Sequence, residues 1–252
     1  MIAFTDISKR FGEKQVLKSV SATFSPGKTN LIIGASGTGK SVLLKCLIGL
    51  VKPDEGSIEY SGRQFLGASG QVVHDIRRDL GMLFQGGALF DSKTVAQNVS
   101  FPLEMLTRMS KSEREDRVNY CLKRVGLEKA KNLMPFEISG GMAKRVGIAR
   151  AIVMNPKYLF CDEPNSGLDP QTSITIDELI QEITHEYDIT TVVVTHDMNS
   201  VLSIGEHVLF MFEGEKIWEG TRDTILDTDV EPLKQFLFSN KLIREWKNTS
   251  KA

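Results

Sequence analysis

Apolar and polar residues alternate through residues 2–7 and again through residues 16–24, the two-residue period of strands with one buried face. Pro26-Gly27 marks a turn after the second of these. Leu31-Ile32-Ile33 is a short apolar run that stops at a glycine, as a buried strand does, and residues 42–50 follow as a helical run. Pro53, Asp54 and Gly56 interrupt the chain before a further strand at residues 57–60. Between about residues 90 and 150 the pattern becomes mostly helix and loop. Residues 110–125 place Val118, Leu122 and Val125 at helical spacing in a charged helix, and residues 139–154 do the same with Met142, Val146, Ala149 and Val153. The strand pattern resumes at Tyr158-Leu159-Phe160-Cys161, at residues 191–195 and at residues 208–212, after which Glu213-Gly214-Glu215 turns the chain into Ile217-Trp218. Buried strands alternating with helices predict an α/β core with an inserted helical lobe. Val230, Leu233, Phe236 and Leu237 predict a helix packed on its own core. Phe238, Leu242, Ile243 and Trp246 add contact surface around a tail, residues 239–252, that is a subunit contact or a frayed end.

Composition narrows the classes. Of 252 residues, 41 % are hydrophobic and 25 % charged, the balance of a folded chain rather than a disordered one. Lysine plus arginine number 31 against 32 for aspartate plus glutamate, a net charge of −1, so no nucleic-acid partner is expected. Cys46, Cys121 and Cys161 are far apart and odd in number, which frames neither disulfides nor a zinc site and fits a reducing compartment. No leader peptide is visible, and no apolar stretch approaches the ~20 residues of a membrane-spanning helix, so any membrane contact is expected through a partner.

The chemistry is concentrated in two places. Gly34-Ala35-Ser36-Gly37-Thr38-Gly39-Lys40-Ser41 fits GxxxxGK[ST] and lies between a predicted strand and a predicted helix, the context a phosphate-binding loop requires. Its glycines let backbone N–H groups turn inward toward phosphate, and the helix start adds its positive end. Lys40 is placed to reach the β- and γ-phosphates of a nucleotide and Ser41 to hold Mg²⁺. The second place is the end of the 158–161 strand, where Asp162 can hold Mg²⁺ and Glu163 can accept a proton from the attacking water or orient it.

With Ser139-Gly140-Gly141-Met142-Ala143-Lys144-Arg145 added, the chain resembles the nucleotide-binding subunits of ATP-binding-cassette (ABC) transporters over about residues 1–238. The resemblance implies a P-loop NTPase core of α/β class, with an N-terminal antiparallel β-subdomain and an α-helical lobe inserted at about residues 90–150. It implies a dimer with two ATPs between the copies, Ser139, Gly140 and Gly141 contacting the γ-phosphate of the ATP held by the other copy. Gln85, after a strand at residues 80–84, is then the residue that senses metal and water. Asp169, in Ser166-Gly167-Leu168-Asp169, lies in the loop that crosses to the second copy. His196 contacts the γ-phosphate and helps orient Glu163, and Phe11 stacks on adenine. Phe11 stands where that family often has tyrosine, and Cys161 where an aliphatic residue is common. Residues 72–78 read as a solvated loop entering a short helix.

A narrower resemblance is to the ATPases of Mla-type systems, which move phospholipid between the inner and outer membranes of bacteria together with mammalian-cell-entry (MCE) domain proteins. It is carried by Met142 in the signature, by Leu83-Phe84-Gln85-Gly86-Gly87-Ala88-Leu89-Phe90-Asp91-Ser92, by Thr195-His196-Asp197-Met198-Asn199-Ser200, and by Asn98-Val99 with Phe101-Pro102-Leu103. It implies a peripheral protein on the cytoplasmic face of the inner membrane, bound to integral-membrane permease subunits and an MCE-domain protein; a small regulatory subunit is left open. Residues 84–103 would form the groove for the permease. Two other readings keep the ATPase, as the motor of a small-solute importer for an amino acid or ion, or as a soluble cassette acting on DNA ends or ribosomes. A non-catalytic cassette would lose Lys40, Glu163 or His196, and all three are present.

Overall fold

The computed structural model describes residues 1–238, so the proposed contact role of the 239–252 tail lies outside the described residues. The chain divides into two compact units. One comprises Met1–Ser25, Thr29–Leu66 and the chain from Val194 onward; the other comprises Pro26–Lys28 and Gly67–Val193.

The first unit opens with β1 (Ile2–Phe11) and β2 (Lys14–Phe24), an antiparallel pair. Asp6 and Ser19 take left-handed φ values of 54° and 51° where the pairing shifts register, and the Ser19 hydroxyl donates to the Asp6 carboxylate at 2.7 Å. β3 (Thr29–Ile33) is buried along its whole length and runs into α1 (Lys40–Leu47). The helix begins two residues before the predicted run because the lysine and serine that end the glycine-rich loop already have helical backbone. It stops at Leu47, where Gly49 turns left-handed and its N–H returns to the Cys46 carbonyl. β4 (Glu55–Tyr60) and β5 (Arg63–Gln64) complete a four-stranded sheet of order β2-β1-β4-β5. The Phe4 and Phe24 rings meet edge to face at 5.3 Å, and the buried Tyr60 hydroxyl donates to the Leu47 carbonyl at 2.7 Å, tying β4 to α1.

The second unit holds α2 (Gly70–Arg78), β6 (Leu80–Leu83), α3 (Val95–Leu106), α4 (Lys111–Arg124), α5 (Gly140–Ile152), β7 (Tyr158–Asp162), α6 (Pro170–Glu186) and most of β8 (Thr190–Thr195). β6 and β7 are parallel, and β8 lies on the other side of β7. β7 and β8 are buried throughout, which is why residues 158–161 and 192–194 read as short apolar runs rather than alternations. Gly81 lets α5 close on β6, since a Cβ there would collide with the Ala151 carbonyl. Capping boxes start α3 at Thr94 with Gln97 and α4 at Ser110 with Glu113. Residues 72–78, expected as a loop entering a short helix, are helical throughout, with Ile76 buried.

The chain then returns to the first unit with α7 (Met198–Ile204), β9 (His207–Phe212), β10 (Glu215–Gly220) and α8 (Glu231–Phe238). There β9 pairs with β3 in parallel and with β10 antiparallel. The predicted C-terminal helix forms, with Leu233 and Leu237 buried and the Phe236 ring 5.4 Å from that of Phe210. Among the described residues no helix is long and apolar enough to cross a membrane.

Candidate nucleotide-binding site

In the first unit β3 delivers the chain to a loop whose shape is dictated by crowding. Gly34 has φ 147°, and a Cβ there would run into the Met211 carbonyl of β9. Gly39 has φ 101°, and a Cβ there would lie 2.8 Å from the Val16 carbonyl and 2.9 Å from Leu17 of β2. Only glycine meets both demands. Between them Ala35, Ser36 and Gly37 are exposed. Gly39 starts α1 without a side-chain cap, and an uncapped helix start of this kind suits an anion. The Lys40 side chain is only 6 % exposed, and its ammonium donates to the carbonyls of Gly34 at 2.8 Å and Ala35 at 2.9 Å. Buried Leu43, Leu44 and Leu47 fix the helix that carries it. A ring of backbone around a held cation fits a polyphosphate. Phe11 ends β1 with half its surface exposed and the Lys9 ammonium 5.3 Å from its ring centre, so a face remains for stacking. His196 follows β8 and is exposed, and Asp197 after it caps α7 by accepting the Asn199 N–H at 2.8 Å.

In the second unit β7 ends at the buried Asp162. Glu163 follows in a left-handed conformation, φ 50°, half-buried. Its carbonyl accepts the Ser166 N–H at 3.2 Å, and Asn165 donates to Asp177 of α6 at 2.8 Å, which anchors the turn. Asp169 caps α6, accepting the Thr172 N–H at 3.0 Å and its hydroxyl at 2.6 Å. Those hydrogen bonds hold the Asp169 carboxyl below the ordinary range. Ser139 caps α5 by accepting the Met142 N–H at 3.2 Å, leaving Ser139 and Gly140 exposed at the helix start. A Cβ on Gly141 would lie 2.5 Å from Thr172. Gln85 is exposed, two residues beyond β6.

One residue of this unit was given no role by the sequence. Lys144, on α5 and 5 % exposed, donates from its ammonium to the carbonyls of Gln85 and Glu163 and to the Ser166 hydroxyl. Burial lowers its pKa, and the neighbouring acidic groups of Glu163 and Asp162 offset part of that. The signal was present: Gly141, Lys144, Ile148 and Ala151 recur every three or four residues on the buried side of α5, and a lysine in such a stripe needs polar partners. Cys161, which precedes Asp162, is wholly buried, and desolvation pushes its thiol far up, so it acts as a small apolar residue.

No group of three or more His, Cys, Asp or Glu among the described residues would hold a metal alone. The Ser41 hydroxyl in the first unit and the Asp162 carboxylate in the second are each oxygen donors of the kind Mg²⁺ takes.

Strand, glycine-rich loop and helix define a P-loop nucleotide-binding protein of α/β class. The family model for ABC transporters matches residues 17–166. The methionine import ATP-binding protein MetN of Clostridioides difficile is 39 % identical over 243 residues, 96 % of this chain and 75 % of MetN. The "Probable ribonucleotide transport ATP-binding protein mkl" of Mycobacterium tuberculosis is 38 % identical over 241 residues, 96 % of this chain and 67 % of mkl. Among solved structures, a post-hydrolysis dimer of the ATP-binding cassette MJ0796 with ADP and Pi superposes with a TM-score of 0.80 at 34 % identity, covering 88 % of this chain and 99 % of that one. The chain belongs to the ABC transporter family. Its fold is the ABC-ATPase α/β fold with an N-terminal β-subdomain and a helical lobe; it binds and hydrolyses ATP, with Mg²⁺ as cofactor.

The narrower expectation of an Mla-type phospholipid ATPase with an MCE-domain partner is overturned. The relatives above, each matching 96 % of the chain, are named for methionine import and ribonucleotide transport. The stretches that carried that expectation serve this chain's own framework. The Met142 backbone, not its side chain, answers the Ser139 cap. Gly87 and Ala88 present their carbonyls to Arg150 at 2.6 and 2.7 Å. Asn98 is buried and hydrogen-bonded to the turn before α3, and Met198 and Ser200 are buried.

Proposed function

We propose that this chain is the ATPase subunit of an importer for a small solute, working as a dimer of two copies on integral-membrane permease subunits at the cytoplasmic face of a membrane. The observation that carries the solute reading is the match to methionine import proteins along 96 % of the chain. The dimeric MJ0796 cassette supports the two-copy arrangement. Residues 1–238 act as the ATPase domain, with the helical lobe at about residues 90–150. Lys40 neutralises the β- and γ-phosphates, the loop Gly34-Ala35-Ser36-Gly37-Thr38-Gly39 wraps them, and Ser41 and Asp162 hold Mg²⁺, with Gln85 completing the metal and water set. Mg²⁺, when bound, neutralises charge on the phosphate oxygens. Glu163 takes the proton of the attacking water, His196 holds the γ-phosphate, Phe11 stacks on adenine, and Ser139, Gly140, Gly141 and Asp169 serve the ATP of the other copy.

The permease reading has a surface to support it. A groove of about 290 Å³ in the second unit is lined by Phe84, Phe90, Phe101, Pro102 and Leu106 together with Arg77 and Arg78. Phe84, Phe90 and Leu106 are exposed there, as an apolar helix in a permease loop would require.

The test is purification of the tagged protein from its native membranes in mild detergent, followed by ATPase assay of the recovered complex with methionine and with ribonucleotides. Recovery of a multispanning permease whose ATPase activity rises with a small solute is the expected result. Recovery without any membrane subunit would contradict the reading.

A further inference from the structure

We propose that Lys144 is a positioning residue for ATP hydrolysis: its ammonium fastens the Gln85 carbonyl, the Glu163 carbonyl and the Ser166 hydroxyl into one latch that sets the backbone from which Glu163 acts. The proposal deepens the reading above and rests on the roles given there to Glu163 and Gln85.

Three features carry it. The first is stoichiometry. A lysine ammonium has three N–H donors, and Lys144 has three acceptors, with 3.2 Å to Glu163 O and 3.3 Å to Ser166 Oγ. The acceptors come from two parts of the chain: Gln85 in the loop after β6, and Glu163 with Ser166 in the turn between β7 and α6. The second is backbone conformation. Glu163 sits at φ 50°, a region that residues with a side chain seldom occupy. Its carbonyl is held by two donors, Lys144 Nζ and the Ser166 N–H at 3.2 Å. Fixing that carbonyl fixes the peptide plane and so the direction in which the carboxylate leaves the backbone. The third is repetition along α5. Two turns on, Arg150 donates to the carbonyls of Ala88 at 2.7 Å and Gly87 at 2.6 Å. The loop bearing Gln85 is therefore fastened to α5 by two cations, and Gly147 between them lies close against Leu83 and Gly87. A lysine kept only for packing would not need its charge, and methionine of similar length would fill the same buried stripe without the cost of burying an ammonium.

The experiment compares Lys144→Met, Lys144→Gln and Glu163→Gln with the wild-type protein for kcat, KM for MgATP and thermal midpoint. Lys144→Met removes every donor. It is expected to lower kcat at least about tenfold while KM stays within about twofold, because loss of positioning is felt in the transition state. Lys144→Gln keeps two N–H donors and is expected to return kcat to within about threefold of wild type. Should Lys144→Met not fold, a cycle of Lys144→Ala, which removes every donor and leaves room for water, with Ser166→Ala decides: the two losses in kcat are expected to be non-additive, since both act on one latch. Wild-type kcat in Lys144→Met, additive losses in the cycle, or a kcat loss matched by equal loss of ATP affinity would each overturn the proposal. Glu163→Gln separates the two levels. If it is inactive while Lys144→Met turns over normally, only the latch fails; if it turns over at the wild-type rate, the catalytic reading of the site fails first.

Discussion

Asn98 spends both ends of its buried amide on the turn that precedes α3. Its oxygen accepts the Phe90 N–H at 2.7 Å, and its nitrogen donates to the carbonyls of Phe90, Lys93 and Thr94 at 3.0–3.2 Å. An alanine there takes these partners from the part-buried Phe90 N–H and Lys93 carbonyl, so Asn98→Ala should cost about 2 kcal/mol in urea unfolding, and an unchanged midpoint would contradict this account. The same residue shows what a single sequence conceals. Asn98-Val99 looked diagnostic of a cargo, whereas the side chain is occupied with the ATPase's own loop. Lys40 is the opposite case. Its role follows from contiguous residues, because a phosphate loop is built from neighbours in the chain, and the structure adds only the carbonyls that hold the ammonium. Lys144 falls between the two, since its acceptors lie 59, 19 and 22 residues away and no local pattern joins them.

The elements were readable in proportion to how local their signals are. β3, β7 and β8 carry short apolar runs at residues 31–33, 158–161 and 192–194 because they are buried along their length, and α4 and α5 announce themselves by a serine cap followed by periodic apolar positions. The unpredicted α6 starts at Asp169-Pro170 and places Ile176, Leu179, Ile180 and Ile183 at helical spacing, so its signals are as local as those of α4 and α5. α7 has seven residues, too few for a period to show. Two helices also carry a titration that can be tested. Burial raises the Cys46 thiol of α1 and the Cys121 thiol of α4 from an ordinary 9.0 to about 11. Both thiols are neutral in the folded protein, so their contribution is complete below pH 9.0 and is lost as pH rises to about 11, where the unfolded chain ionises first. The expected loss is of order 2 kcal/mol per thiol. Replacing both by alanine should flatten the fall in urea midpoint between those pH values; an equally steep fall in the variant would assign it to other groups.

For the molecule as a whole, the ATP chemistry and the cargo stand on different footings. The residues that handle nucleotide lie in this chain and are dictated by phosphate and water. Cargo selection requires contacts that an ATPase chain need not make, and relatives of nearly equal identity to this chain are named for different solutes. That is why the family and fold could be read from the sequence while the phospholipid assignment failed against relatives named for methionine and ribonucleotide. The central claim is that two copies of this chain share ATP and that Glu163 is the base that discharges it. Its most direct test is the molar mass of Glu163→Gln by light scattering with MgATP, alongside its rate of phosphate release. The account predicts a nucleotide-dependent shift from monomer to a stable dimer and turnover at least ~10²-fold below wild type. A variant that stays monomeric at saturating MgATP, or releases phosphate at the wild-type rate, would contradict it.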